Sequence, residues 1–135
     1  MATFALNAPP DTMQGLHLTA DLYGCQCEAS LLEDAEVLAR YCRQFTRDAK
    51  LTVVGEKFHS FPPHNQRPGG VTGMLLLAES HLAVHTWPDR SGVTLDVFVC
   101  NFTEDNSAKA EQLLQQLLNA FAPQRHASQR IDRGC

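Results

Sequence analysis

Long apolar runs are missing from this sequence of 135 residues. No stretch approaches the roughly 20 apolar residues that a membrane-spanning helix needs. Residues 1–6 have neither the basic start nor the extended apolar core of a secretion signal. We therefore expect a cytoplasmic protein that does not enter a membrane.

Clustered positive charge is also missing. The chain has 11 Lys and Arg residues against 15 Asp and Glu residues, which gives a formal net charge of −4 at pH 7. Nucleic-acid surfaces need clustered Lys and Arg to neutralise phosphates, and here the basic residues are scattered. We therefore expect no nucleic-acid partner.

The cysteines lack the spacing of a disulfide framework or a zinc site. They are Cys25, Cys27, Cys42, Cys100 and Cys135. An odd number at irregular spacing fits a reducing compartment. Cys25 and Cys27 are too close together for a CxxC motif. His81 and His85 could share one strand face, but no third metal ligand has a suitable spacing. We expect neither a disulfide framework nor a bound metal.

The hydrophobic pattern predicts one domain with its own core, since 44% of the residues are hydrophobic. Strands are predicted near residues 17–23, 51–59, 71–78, 81–86 and 93–100, with a weaker one near 125–131. One amphipathic helix is predicted to start after Ser30, in a capping-box pattern, and a second to follow Asn106 and end before Pro123. Helices with one apolar stripe must bury it. The prediction is an α+β fold, a two-layer α/β sandwich whose mainly antiparallel sheet is covered on one face by two helices.

Strand parity indicates where chemistry would lie on this sheet. Between residues 93 and 100, Val residues and Leu95 occupy one face, while Asp96 and Cys100 fall on the other. In the preceding strand His81 and His85 likewise oppose apolar neighbours. We expect one face covered by helices and a second face that carries polar, histidine and cysteine side chains.

One segment combines groups that could act together. The Ser80 hydroxyl is one bond-forming step from the carbonyl carbon of Glu79, and His85 and Cys100 are proton-transfer groups nearby in the pattern. Taken singly, such a serine is usually an ordinary strand-end residue and such a cysteine a buried apolar one. Their combination points to self-cleavage followed by catalysis.

The motifs resemble those of the prokaryotic S-adenosylmethionine decarboxylase proenzymes, which are pyruvoyl-dependent. The resemblance rests on Glu79-Ser80-His81, on His85-Thr86-Trp87-Pro88, on a cysteine twenty positions after the serine, and on the segments 15–25, 58–61 and 70–73. It extends over roughly residues 15–134. It implies a flexible N-terminal tail over residues 1–14 and a single decarboxylase domain over residues 15–135.

The resemblance implies cleavage between Glu79 and Ser80. Ser80 attacks the Glu79 carbonyl, and elimination and hydrolysis then leave a pyruvoyl group at the start of the chain 80–135. By resemblance, His85 transfers the proton during this processing, and Thr72 supplies a hydroxyl that supports the ester intermediate. Many relatives have serine where this chain has Thr72.

The resemblance also implies the catalytic cycle. The pyruvoyl ketone made from Ser80 forms a Schiff base with the amine of an amino-acid-type substrate and accepts electrons as carbon dioxide leaves. Cys100 then donates a proton to the product. Family members are dimers with active sites at the subunit boundary, so a homodimer of cleaved protomers is expected.

Departures from the family pattern fall where an adenosyl substrate would bind. Asp89 replaces the usual glutamate that grips the ribose, residues 90–94 differ, and residues 64–68 are extra. Phe61 is kept, and its ring could stack on adenine or contact the sulfonium. S-adenosylmethionine, for polyamine synthesis, is the leading substrate. A pyruvoyl-dependent arginine or ornithine decarboxylase and a non-catalytic regulatory paralogue stay open, as does activation by putrescine.

Overall fold

Strands with alternating burial and amphipathic helices account for most of the chain. The computed structural model describes residues 14–135. The strands are β1 (Gln14–Cys25), β2 (Val53–Ser60), β3 (Val71–Leu77), β4 (Ser80–Trp87), β5 (Gly92–Cys100) and β6 (Pro123–Gly134). The helices are α1 (Ala29–Glu33), α2 (Ala35–Asp48) and α3 (Ser107–Phe121), and a 3-10 turn spans Pro88–Arg90.

The strands form one six-stranded sheet in the order β2-β3-β4-β5-β1-β6. Every neighbouring pair is antiparallel. Strands β2 to β5 follow one another along the chain, whereas β1 is inserted between β5 and β6. The beginning of β1 therefore lies beside the ends of both β5 and β6, with Gly15 opposite Cys100 on one side and Arg133 on the other.

The helices cover one face of the sheet, as predicted. Burial alternates along β5, where Val93, Leu95, Val97 and Val99 are each no more than 1% exposed. These side chains form one core with the apolar stripes of α2 and α3. The α3 stripe comprises Ala110, Leu113, Leu114, Leu117 and Phe121. The predicted two-layer α/β sandwich is confirmed.

Two predicted boundaries were wrong. Ser30 does not start the long first helix: it lies inside the short α1, and α2 starts after Asp34. The Asp34 carboxylate accepts hydrogen bonds from the backbone N–H groups of Glu36 and Val37, which satisfies two donors at the helix start. Strand β1 also begins at Gln14, within the predicted tail. The rest of that tail lies outside the described residues.

The second face of the sheet has no covering layer within the described residues. We call it the open face. Its exposed apolar side chains include Met74, Leu76 and Ile131, which are 37%, 47% and 39% exposed. The register places Leu76, His81, Phe98, His17 and Ile131 in one row across it. Along residues 14–135, none of the helices has the length and apolar character for a membrane crossing.

Candidate active site

The predicted cleavage point lies in a tight turn. Strand β3 ends at Leu77 and β4 begins at Ser80, and these two residues face each other in the hairpin. Only Ala78 and Glu79 make the turn. Ser80 has a φ of 150°, which L-residues seldom adopt. Such backbone costs of order 1–3 kcal/mol and occurs preferentially at functional sites.

Hydrogen bonds hold both the backbone carbonyl and the side-chain carboxylate of Glu79. The backbone N–H of Cys100 donates to the Glu79 carbonyl oxygen at 2.9 Å. Thr103 donates to one oxygen of the Glu79 carboxylate through its backbone N–H at 3.1 Å and its hydroxyl at 3.2 Å. The Asn106 amide donates to the other oxygen. The carbonyl that the Ser80 hydroxyl would attack therefore already has a donor where negative charge would develop.

Asn106 and Thr103 were missed by sequence reasoning. Asn106 was assigned only as a helix start, but its side chain makes no capping bond. Asp105 accepts from the backbone N–H of Ser107 instead, at 2.9 Å. The Asn106 amide is thus available to Glu79 and to the Cys100 carbonyl, at 3.1 Å from the latter. Asn106 is 3% exposed, which no motif in the sequence indicates.

Thr72 and His85 form a second cluster. They are opposite each other on β3 and β4, and Thr72 Oγ1 lies 2.7 Å from His85 Nδ1. The neighbouring Thr86 fixes this part of the hairpin from the buried side. Its hydroxyl donates to the Leu32 carbonyl at 2.7 Å and accepts from the Val71 backbone N–H at 2.8 Å. The imidazole therefore has a defined hydroxyl partner on a rigid strand pair.

A cavity of about 900 Å³ adjoins this second cluster. Thr72 and His85 form part of its wall, together with the predicted substrate residues Phe61 and Asp89. Gly70 lets two chain segments meet closely there, because a Cβ at this position would be 2.0 Å from the Thr86 carbonyl oxygen. The volume falls in the range of small-molecule sites.

The extra residues 64–68 form an ordered turn at the rim of this cavity. His64 and Arg67 exchange two backbone hydrogen bonds of 2.9 and 3.0 Å. Asn65 and Gln66, between them, have φ values of 51° and 62°. The turn brings Arg67 Nη1 to 4.0 Å from Asp89 Oδ2. The carboxylate of Asp89 therefore faces a guanidinium from its own chain.

The two clusters lie at opposite ends of β4. Ser80 and His85 are five residues apart on one strand, which corresponds to roughly 16 Å at about 3.3 Å per residue. Cys100 is six residues along β5 from Thr94, the partner of His85. One chain therefore places the Glu79–Ser80 junction beside Cys100, and Thr72 beside His85, but it does not bring the two clusters together.

Cys100 is joined to Cys135 by a disulfide in the structure, with their Cα atoms 6.0 Å apart. The cysteine spacing predicted no disulfide framework and did not indicate this single bond. The bond depends on β5 and β6 flanking β1, which the spacing of 35 residues does not reveal. The other cysteines are free thiols. Burial raises the pKa of Cys25 to about 11 and that of Cys42 to about 12.

Ionisable groups also occupy the centre of the open face. His17 Nε2 lies 3.0 Å from Asp96 Oδ1. The His81 and Phe98 rings are 5.8 Å apart. Partial burial, reinforced by the nearby charge of His17, lowers the pKa of His81. Within residues 14–135, no group of three His, Cys, Asp or Glu side chains is arranged to hold a metal ion.

A two-layer α/β fold with a strained Glu79–Ser80 junction and a histidine-lined cavity defines a small α/β enzyme. The chain belongs to the S-adenosylmethionine decarboxylase family, whose sequence profile matches residues 16–134. An Archaeoglobus fulgidus S-adenosylmethionine decarboxylase proenzyme is 38% identical over 120 residues, covering 89% of this chain and 97% of the relative. The Pseudomonas paraeruginosa proenzyme is 33% identical over 134 residues, covering 99% and 77%.

The fold agrees with a solved structure of the same family. The crystal structure of the adenosylmethionine decarboxylase from Aquifex aeolicus superposes with a TM-score of 0.77 at 31% identity. The match covers 92% of this chain and 93% of that one. The family resemblance expected from the motifs is therefore confirmed.

Proposed function

We propose that this protein is a self-processing decarboxylase that converts S-adenosylmethionine to its decarboxylated form and carbon dioxide. The observation that carries the proposal is the Glu79–Ser80 junction. Ser80 has strained backbone, and the Glu79 carbonyl oxygen accepts a hydrogen bond from Cys100. Attack by the Ser80 hydroxyl would relieve the strain, and the backbone donor would stabilise the oxyanion that forms.

A pyruvoyl group made from Ser80 fits this junction. Such a group supplies a ketone that takes up the substrate amine and accepts the electrons of the broken carbon–carbon bond. The remaining work falls to the chain's own groups. Glu79 is anchored through its carboxylate by Thr103 and Asn106, which keeps the end of the first chain in place after cleavage.

The proposal includes two proton-transfer roles. Once reduced, Cys100 would lie beside the junction with an S–H proton that it can donate to the product carbon. His85 would move the proton from Ser80 Cα during processing. Thr72, 2.7 Å from His85 Nδ1, would orient that imidazole and support the ester intermediate.

The cavity suits S-adenosylmethionine better than arginine. Asp89 and Phe61 line it, and the half-exposed Phe61 ring, which His59 contacts edge-on, could stack on an adenine or contact a sulfonium. The Arg67 guanidinium lies 4.0 Å from the Asp89 carboxylate, so Asp89 already has a cationic partner in its own chain and does not need a substrate guanidinium. Asp89 would serve the ribose hydroxyls.

A second copy of the chain would complete the site. Because Ser80 and His85 are roughly 16 Å apart along one strand, two protomers packed antiparallel through their open faces would bring Ser80 of one opposite His85 of the other. The exposed Met74, Leu76 and Ile131 give that face apolar surface to bury. We therefore propose a homodimer with active sites at the subunit boundary.

Three free thiols agree with a cytoplasmic setting.

The first experiment measures maturation by denaturing mass spectrometry. We expect two chains, residues 1–79 and 80–135, and a single uncleaved chain for Ser80→Ala. The reduced, mature protein is then given equal amounts of S-adenosylmethionine, arginine and ornithine, and the decarboxylated product is identified by mass. Agmatine or putrescine would mean that the substrate differs, and a chain that never cleaves would reject catalysis.

A further inference from the structure

We propose that Cys100 and Cys135 form a redox site that takes a dithiol reductant, and that its reduction switches on decarboxylation. The inference rests on the proposed function, because it concerns the oxidation state of Cys100, the proposed proton donor of that reaction. In the structure Cys100 Sγ is bonded to Cys135 Sγ. In this form Cys100 has no S–H proton to donate.

The sheet holds the two cysteines together independently of the bond. Cys135 follows β6 directly, and its Sγ lies 3.2 Å from the Gln14 carbonyl oxygen at the start of β1. Two residues before each cysteine, the Arg133 guanidinium lies 4.5 Å over the Phe98 ring. This contact joins β6 to β5 across β1 and does not involve sulfur. The thiols therefore stay within reach of each other after reduction.

The two sulfurs differ in accessibility. Cys135 is exposed, whereas Cys100 is only partly exposed. A dithiol would therefore attack Cys135 Sγ through its thiolate, and the Cys100 sulfur would leave as a thiolate and take up a proton. The second thiol of the reductant then displaces the Cys135 sulfur from the mixed disulfide. Two electrons and two hydrogens pass to the protein, and the reductant becomes a cyclic disulfide.

The bond separates maturation from turnover. Processing uses the Ser80 hydroxyl, the Cys100 backbone N–H and His85, and none of these needs a free Cys100 thiol. Decarboxylation needs that thiol to protonate the product. The oxidised protein should therefore cleave itself normally and then remain inactive until a dithiol reduces it.

Cleavage makes the site easy to measure. The chain 80–135 contains only two cysteines, Cys100 and Cys135, while the other three lie in the chain 1–79. Mature protein is treated with a large excess of oxidised dithiothreitol, whose mixed disulfide with a single thiol recyclises and does not persist, or with reduced dithiothreitol, then freed of reagent, denatured and alkylated. We expect no alkyl group on the chain 80–135 after oxidation and two after reduction. Turnover of S-adenosylmethionine should be about 100-fold or more lower after oxidation, the size of a lost proton-transfer group.

Two variants sharpen the test. Cys135→Ser should be active in both treatments, because Cys100 then has no partner for an internal disulfide, and Cys135→Ala replaces it if that chain does not fold. Cys27→Ser, the matched control, should respond as the unaltered chain does. Two alkyl groups after oxidation, or equal turnover in both treatments, would overturn the redox inference. Reduced and cleaved Cys135→Ser without turnover would instead overturn the proposed function, and the alkyl count would still report the disulfide.

Discussion

An active site shared between two subunits can be tested by mixing two inactive chains. Ser80→Ala lacks the hydroxyl that would attack Glu79, and His85→Ala lacks the imidazole, so neither chain should be cleaved when it is produced alone. In a mixed dimer, the Ser80 of one chain would face the His85 of the other. One complete site would then form from two chains that are each defective.

The expected recovery follows from twofold symmetry. Equal amounts of two chains that pair at random give one part of each homodimer and two parts of mixed dimer. About half of the His85→Ala chains would then be cleaved, and decarboxylation would reach about a quarter of the unaltered activity. A site built within one chain would give no recovery, because its Ser80 and His85 would never be intact together.

The assay is denaturing mass spectrometry of co-produced chains, in which the fragment 80–135 of the His85→Ala chain has its own mass. A reverse mixture serves as the control, pairing the unaltered chain with one that carries both substitutions. There the shared site predicts that only about half of the unaltered chains are cleaved. Uncleaved His85→Ala chains in the first mixture, together with full cleavage of unaltered chains in the second, would refute the reasoning.

Three further substitutions test single contacts. Asn106→Ala removes a buried donor to Glu79, so it should lower the free energy of unfolding by about 1–3 kcal/mol, measured by denaturant titration. It should also slow cleavage, measured by mass spectrometry. Exposed Asn119→Ala is the control, and an equal response from both variants would contradict the role of Asn106. Asp89→Ala should raise the KM for S-adenosylmethionine by about ten- to a hundred-fold without affecting cleavage, and an unchanged KM would reject the ribose contact. Because burial lowers the pKa of His81 in the fold, the unfolded chain binds more protons than the folded one at mildly acidic pH. The free energy of unfolding should therefore fall as the pH drops below about 6.5, and it should fall less in His81→Gln. Identical pH profiles for the two proteins would contradict this role of His81.

The sheet could be predicted from the sequence because its signal is local. Alternation along β5 assigned each residue to a face, since successive side chains point to opposite sides of a strand. The start of α2 was missed because Ser30 and Asp34 are both good N-cap residues, and Ser30 also has Glu33 three positions later. Only the structure shows that the Asp34 carboxylate accepts the two helix N–H groups. A local pattern could not rank these two competing caps.

The sequence predicted which residues belong to the candidate site, but it did not predict how they are arranged in space. The motif joined Ser80 to His85 because five positions look close in a sequence, but an extended strand separates them by roughly 16 Å. The contact between Asn106 and Glu79 and the bond between Cys100 and Cys135 join residues that are 27 and 35 positions apart. Such contacts depend on strand order, which composition and periodicity do not determine.

Strand order also explains how the protein would survive its own cleavage. The chain 1–79 would hold β1, β2 and β3, and the chain 80–135 would hold β4, β5 and β6. In the sheet, strands of one chain lie next to strands of the other: β3 pairs with β4, and β1 lies between β5 and β6. Three of the five strand pairings would thus join the two products. Their hydrogen bonds and shared core would keep the chains together, because separating them would unpair β1 on both sides. The cut would then release the turn at Ser80 and leave the site in place.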